Sequence, residues 1–316
     1  MRGAYLAPGF IDLHVWGAPQ TLAQASVRGG ATAFLSAIGP APVERLLAEV
    51  EARANAATAV GATCLGLHLE GPFLNPARGG ALPKRWMRRP TARELARLVH
   101  AGRGRIKLIT LAPELPGALQ AIRWCRAHGV VASLGHSDAT ATQARSAVRV
   151  GARAVTHMFN GMAPFHQRHS SLVDAALLED RLTAMIIMDD VHVSADAFRL
   201  LVRAKGIERV ALVTDSITHQ GWDVVERHGA YYLRSETLAG SSLTMMRAVR
   251  NAVVLGGVSV TEAVRMASEN PARLLGDRSR GRLSIGARAD LVAFDKRFRI
   301  SMTMVGGHVV YQRKRS

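Results

Sequence analysis

The sequence predicts a (β/α)8 barrel, an α/β fold of parallel strands, followed by a short β appendage. Three observations carry this. Short apolar runs alternate with amphipathic helical stretches, and eight such runs can be counted. Ionisable or ligating side chains follow five of the runs, where a parallel barrel collects its functional groups. Residues 281–316 lose the alternation and read as turns and short strands. A chain of 316 residues is long enough for one such barrel.

Taken in order, the first strand is 10–15 (FIDLHV) and the second is 32–37, followed by an amphipathic helix over 43–59. The third strand is 64–69. A helix over 92–101 leads to the fourth, 107–112, and a helix over 117–128 leads to the fifth, 130–135. A helix over 139–150 precedes the sixth, 154–157. The seventh is 184–188, a helix covers 195–205, and the eighth strand is 210–214. Two further helices are expected over 244–255 and 260–275. Residues 283–286 read as a turn, and 290–294, 302–305 and 308–311 as short strands, too little for a sandwich alone. The expected division is a barrel over 6–280 and a small β unit over 281–316.

The net charge is +17, and only five of the 41 basic residues are Lys. Arginine is spread along the whole chain, which reads as a compositional bias rather than a patch. There is no nucleic-acid reader motif and there are few aromatics, which argues against nucleic-acid binding as the main role. No apolar run approaches the roughly 20 residues of a membrane span. No apolar leader follows the first Met, so no signal peptide is expected. Cys64 and Cys125 lie far apart in no metal-like spacing, which suggests buried thiols in a reducing, cytoplasmic setting.

The residues after the strands carry the chemistry. His14, Glu70, His136, His157 and Asp215 close the runs FIDLH, CLGLHLE, VVASLGH, AVTH and ALVTD. A single His after a strand is more often a structural hydrogen-bonder than a ligand. Five such groups at five strand ends are brought around one axis by a barrel, where they could hold a divalent cation.

The motifs in which they sit resemble one family. PGFIDLH (8–14) resembles the opening motif of amidohydrolases. GLHLEGPF (66–73), LGHS (134–137), THMFNGM (156–162) and VTD (213–215) resemble, in order, the metal-carboxylate, two metal-histidine and catalytic-aspartate motifs of the N-acetylglucosamine-6-phosphate deacetylases. LAGSSLTM (238–245), NPAR (270–273) and GARADLV (286–292) continue the match.

The resemblance implies a metal-dependent hydrolase that converts N-acetylglucosamine-6-phosphate to glucosamine-6-phosphate and acetate. It implies that Glu70, His136 and His157 bind one divalent ion, zinc first, with iron, manganese or cobalt as alternatives. Asp215 would take a proton from the attacking water and deliver it to the departing amine. Asn160 and Gly161 would contact the sugar. Arg168 and His192 would bind the phosphate, reaching over from a neighbouring subunit, so a homodimer is implied. Leu243 and Met245 would line the acetyl pocket. His219 reads as a loop residue.

Four departures stand out. Two-metal amidohydrolases carry His-x-His after the first strand; here the second position is Trp16, and an indole cannot ligate. A single ion is therefore expected, with His14 either a further ligand or a group behind the ligands. The sugar-contacting His of a Gly-Ala-His loop is Leu82 here. Only seven residues precede Pro8, where the family places a longer segment that forms half of a small β-sandwich. Either the start codon is misplaced or the small domain is reduced to a remnant, which would leave it an apolar face to cover. The loop after Trp16 is also short. Leu82, Trp16 and this loop support an alternative, an amidohydrolase of the same fold acting on a different N-acyl or cyclic amide. A second alternative is a non-catalytic, basic anion-binding protein; four intact motif residues, Glu70, His136, His157 and Asp215, argue against it.

Overall fold

The computed structural model describes residues 4–57, 60–217 and 223–313. The described chain opens with a strand outside the barrel, β1 (Ala4–Pro8). The barrel strands follow: β2 (Phe10–Trp16), β3 (Ala31–Ile38), β4 (Thr63–Glu70), β5 (Ile106–Leu111), β6 (Val131–Leu134), β7 (Ala154–Val155), β8 (Thr183–Ile187) and β9 (Val210–Val213). Each pairs in parallel with the next. The ring closes through the continuation of β9. Asp215 N–H donates to the His14 carbonyl at 2.9 Å. Beyond it, β10 (Ser216–Ile217) pairs in parallel with Val15 and Trp16 of β2.

The eight expected strands are all present, with ends shifted by a residue or two. They were readable because both faces of a barrel strand are buried, so each appears as a nearly continuous apolar run; β2 and β3 are buried at every position. The helices turn their apolar side to the barrel and are capped in sequence-readable ways. Thr140 and Gln143 form a capping box at the helix Ala141–Val150, and Ser259 and Glu262 form another. The core fills the layer between strands and helices, with Leu46, Ile122, Phe198 and Leu201 almost wholly buried.

Several expectations need correction. The helix expected over 43–59 stops at Ala54. The one expected over 260–275 is two helices, Val260–Ala267 and Glu269–Leu274. Pro271 has no N–H to continue the ladder, and the Ser268 hydroxyl bonds back to the Val264 carbonyl at 2.6 Å. The helices Pro19–Ser26 and Leu172–Leu178 were not foreseen. Nor was the β extension after β10: β11 (Val224–Arg227), β12 (Ala230–Leu233) and β13 (Leu238–Ser241). β11 and β12 form a hairpin turned at His228-Gly229, both at positive φ, as a tight twisted turn demands. β13 returns beside β10, so the extension hangs on the end of the barrel that carries the site.

The remaining strands are β14 (Leu291–Asp295), β15 (Ile300–Val305) and β16 (His308–Gln312). They form a separate antiparallel sheet in the order β1-β14-β15-β16. Its members thus come from both ends of the described chain. It rests on the barrel through Thr303, whose hydroxyl donates to the Val27 carbonyl at 2.8 Å, and through Val305. Tyr5, Leu6 and Val309 are exposed on this sheet, with Tyr5 stacked on Phe294.

Both cysteines are free and buried. Burial pushes the Cys125 thiol up to about 12 and raises Cys64 as well. A thiol reagent at neutral pH is therefore expected to label neither until the protein is unfolded, when both react. Fast stoichiometric labelling of the native protein would contradict this burial.

Candidate active site

The strand ends converge as the motifs require. Glu70 ends β4, His136 follows β6 by two residues, and His157 follows β7 by two. Glu70 Oε1 lies 2.9 Å from His136 Nε2 and 2.8 Å from His157 Nε2, and the two imidazole nitrogens lie 3.1 Å apart. Four ligands at roughly 2.0–2.1 Å around a tetrahedral ion are about 3.3 Å from one another, so a small opening of this triangle admits one. His14 flanks the same edge: one donor atom each from His14, Glu70 and His157 lies within 4.8 Å of the others. All four side chains are buried.

The charges fit a cation. His14 Nε2 approaches Asp215 Oδ1 at 3.1 Å and Glu70 Oε2 at 3.5 Å, yet makes no well-formed hydrogen bond among the described residues. Burial works against a charged His14, but Glu70 and Asp215 outweigh it and hold the imidazole up at about 10. Burial likewise works against charge on Glu70; the positive His14 and hydrogen bonds from the histidines keep its carboxyl well below the usual range. His136 is raised by Glu70 in spite of burial. Two carboxylates among buried imidazoles make this position hospitable to positive charge, a proton or a metal ion alike.

The ligating orientations are fixed from behind. His136 Nδ1 donates to the Arg78 carbonyl at 2.8 Å, and His157 Nδ1 to the Asn160 carbonyl at 3.2 Å, leaving both Nε2 atoms for a metal. His14 Nδ1 meets His68 Nδ1 at 2.7 Å, and His68 Nε2 meets Thr110 Oγ1 at 2.7 Å. The hydroxyls of Thr110, Thr156 and Ser133 continue that chain across the barrel interior. Asp12 accepts from the Thr214 hydroxyl at 2.5 Å and the Thr214 backbone at 3.2 Å, tying β2 to the residue before Asp215. Sequence reasoning missed Asp12, His68 and Thr214. The signal was there: alternation puts Asp12 on the face of His14, and His68 on that of Glu70.

His136, His157 and Asp215 are all non-glycine residues at positive φ, 46°, 31° and 49°. Such conformations are costly and concentrate at functional sites.

These groups open into a cavity of about 240 Å³. Trp16, Leu82, Asn160, Gly161, His192 and the segment 237–240 share its walls with Glu70, His136, His157 and Asp215. Gly161 is there for a steric reason as well as at φ 63°: a Cβ would sit 2.9 Å from His136 Nδ1.

Within one chain His192 lines the cavity. Asp189 pins it, accepting from His192 Nδ1 at 2.6 Å and from the Val191 and His192 amides, so Nε2 is left to act. Arg168 does not reach this cavity within one chain; it is exposed, on the loop after Met162. Leu243 and Met245 do not line it either. They are buried in the main core, because the chain turns inward after β13, and Leu238, Ala239 and Gly240 form the wall instead. His219 lies outside the described residues.

A parallel barrel with histidines and carboxylates gathered at its strand ends is the architecture of metal-dependent hydrolases acting on amides. The chain belongs to the amidohydrolase family, whose profile matches residues 5–310. Within it, the chain groups with the amino-sugar-phosphate deacetylases. It is 33% identical to the N-acetylglucosamine-6-phosphate deacetylase of Lysinibacillus sphaericus, over 98% of this chain and 86% of that protein. It is 35% identical to the N-acetylgalactosamine-6-phosphate deacetylase of Escherichia coli O157:H7, over 96% of this chain and 87% of that one. The solved N-acetyl-D-glucosamine-6-phosphate deacetylase of Mycobacterium smegmatis superimposes with a TM-score of 0.90 at 34% identity, covering 98% of this chain and 88% of that one.

Proposed function

We propose that the protein is a metal-dependent deacetylase of amino-sugar phosphates that converts N-acetylglucosamine-6-phosphate to glucosamine-6-phosphate and acetate. The observation that carries it is the Glu70–His136–His157 triangle beside Asp215 in the cavity. Glu70, His136 and His157 would hold one divalent ion, zinc by the nitrogen and carboxylate donor set, and His14 would stand against it. When bound, such an ion polarises the amide carbonyl and makes water a stronger acid. Asp215 then takes the proton of the attacking water and returns it to the leaving nitrogen. Asn160 and Gly161 would seat the sugar, and His192 Nε2 would bind the phosphate. Arg168 would complete the phosphate site of a neighbouring copy, which makes the working unit a homodimer. No helix among the described residues is long and apolar enough to cross a membrane; a metabolic role in the cytoplasm is proposed.

The test is acetate release by zinc-loaded protein. Release from N-acetylglucosamine-6-phosphate, and not from the unphosphorylated sugar, is expected. Faster release from N-acetylgalactosamine-6-phosphate would reassign the sugar. A second reading, a different N-acyl amide, is favoured by Leu82, whose apolar side chain occupies the cavity wall. It would be adopted if the loaded protein released acetate from neither phosphate.

A further inference from the structure

We propose that Trp16 is the positioning residue for Asp215: its indole N–H holds Oδ1 and leaves proton transfer to Oδ2. This rests on the reading of Asp215 as the base. The indole Nε1–H donates to Asp215 Oδ1 at 2.8 Å, the oxygen that His14 Nε2 also approaches at 3.1 Å. Among the described residues no hydrogen bond is made to Oδ2. Asp215 lines the cavity, so Oδ2 is the oxygen free to exchange a proton there.

The direction of the indole is built in at three levels. Trp16 follows His14 by two residues in β2, and the two rings lie 5.9 Å apart, edge to face. The backbone of Trp16 is paired on both sides, with Ala37 of β3 and Ile217 of β10. The ring is buried against Leu82 and Met87. Gly39 makes room for it: a Cβ there would lie 3.0 Å from Trp16 Cη2 and 3.3 Å from Cζ3. Where two-metal relatives of this fold place a ligand, this chain has a group that can only donate. Here the position orients a carboxylate.

The test uses Trp16→Phe, Gly39→Ala and the double variant in the full chain. Phe keeps the apolar packing but loses the N–H, Cη2 and Cζ3. Trp16→Phe is expected to lower kcat about tenfold, as for a lost hydrogen bond to a charged group, with KM and bound zinc unchanged. Its crystal structure should show the Asp215 carboxylate rotated from its wild-type orientation. Gly39→Ala should lower kcat by displacing the indole, and should add nothing in the Trp16→Phe background. Wild-type kcat in Trp16→Phe, or a slower enzyme with Asp215 unmoved, would overturn the proposal. If wild type deacetylates neither amino-sugar phosphate, the substrate reading fails, while the Asp215 orientation in Trp16→Phe still decides the role of Trp16. Should Trp16→Phe not fold, Gly39→Ala gives the same structural readout.

Discussion

Asp215→Asn is expected to keep its zinc and its affinity for substrate and to turn over at least about 10²-fold more slowly. The reasoning is geometric. Asp215 stands at the rim of the Glu70–His136–His157 triangle but contributes none of its three short contacts, so its loss leaves that triangle intact. An amide has nearly the shape of the carboxylate, and its oxygen can still accept from the Trp16 indole, so the strand end is held. What it cannot do is take a proton from water and return it to an amine. Zinc content by elemental analysis, and substrate affinity by calorimetry, separate binding from turnover. Unchanged kcat would remove Asp215 from the reaction.

His136→Ala is expected to act on the other half of the site, dropping bound zinc far below one per chain and activity with it. Changing a residue that merely holds a ligand costs roughly 10–100-fold in metal affinity, and deleting a ligand costs more. His136 is also one corner of the Glu70–His136–His157 triangle of 2.8–3.1 Å contacts. Its partner Glu70 would keep His14 and His157 as neighbours, so the fold should survive and zinc be lost without unfolding. Stoichiometric zinc in a folded His136→Ala protein would shift the ion toward His14, Glu70 and His157.

Much of this was legible in the chain. Barrel strands such as β3 are buried on both faces and announce themselves as apolar runs, and a polar residue that ends one is conspicuous. Glu70, His136, His157 and Asp215 were found in that way. The less legible parts share a physical cause: their pattern is too short or their partners too distant. β10 has two residues and exists because β2 and β13 lie beside it. β1 was not among the expected strands, and its pairing partner β14 lies near the other end of the chain. His192 was singled out by resemblance alone; the Asp189 contact that orients it joins residues of one short loop and has no pattern of its own. Leu243 and Met245 were misassigned because a motif gives order along the chain, but not which way the backbone turns after Gly240.

The positive φ of His136, His157 and Asp215 has a further consequence. Each conformation costs of order 1–3 kcal/mol, and the residues that end the strands beneath, Leu134, Val155 and Val213, are fully buried and hold it in place. Folding stability is thus diverted into holding three side chains in postures they would not choose. On the proposed roles of these residues, thermal robustness and catalytic competence would pull against each other here. Loosening the strand ends would let the three residues relax, and hydrolytic power would fade while the molecule still counted as folded.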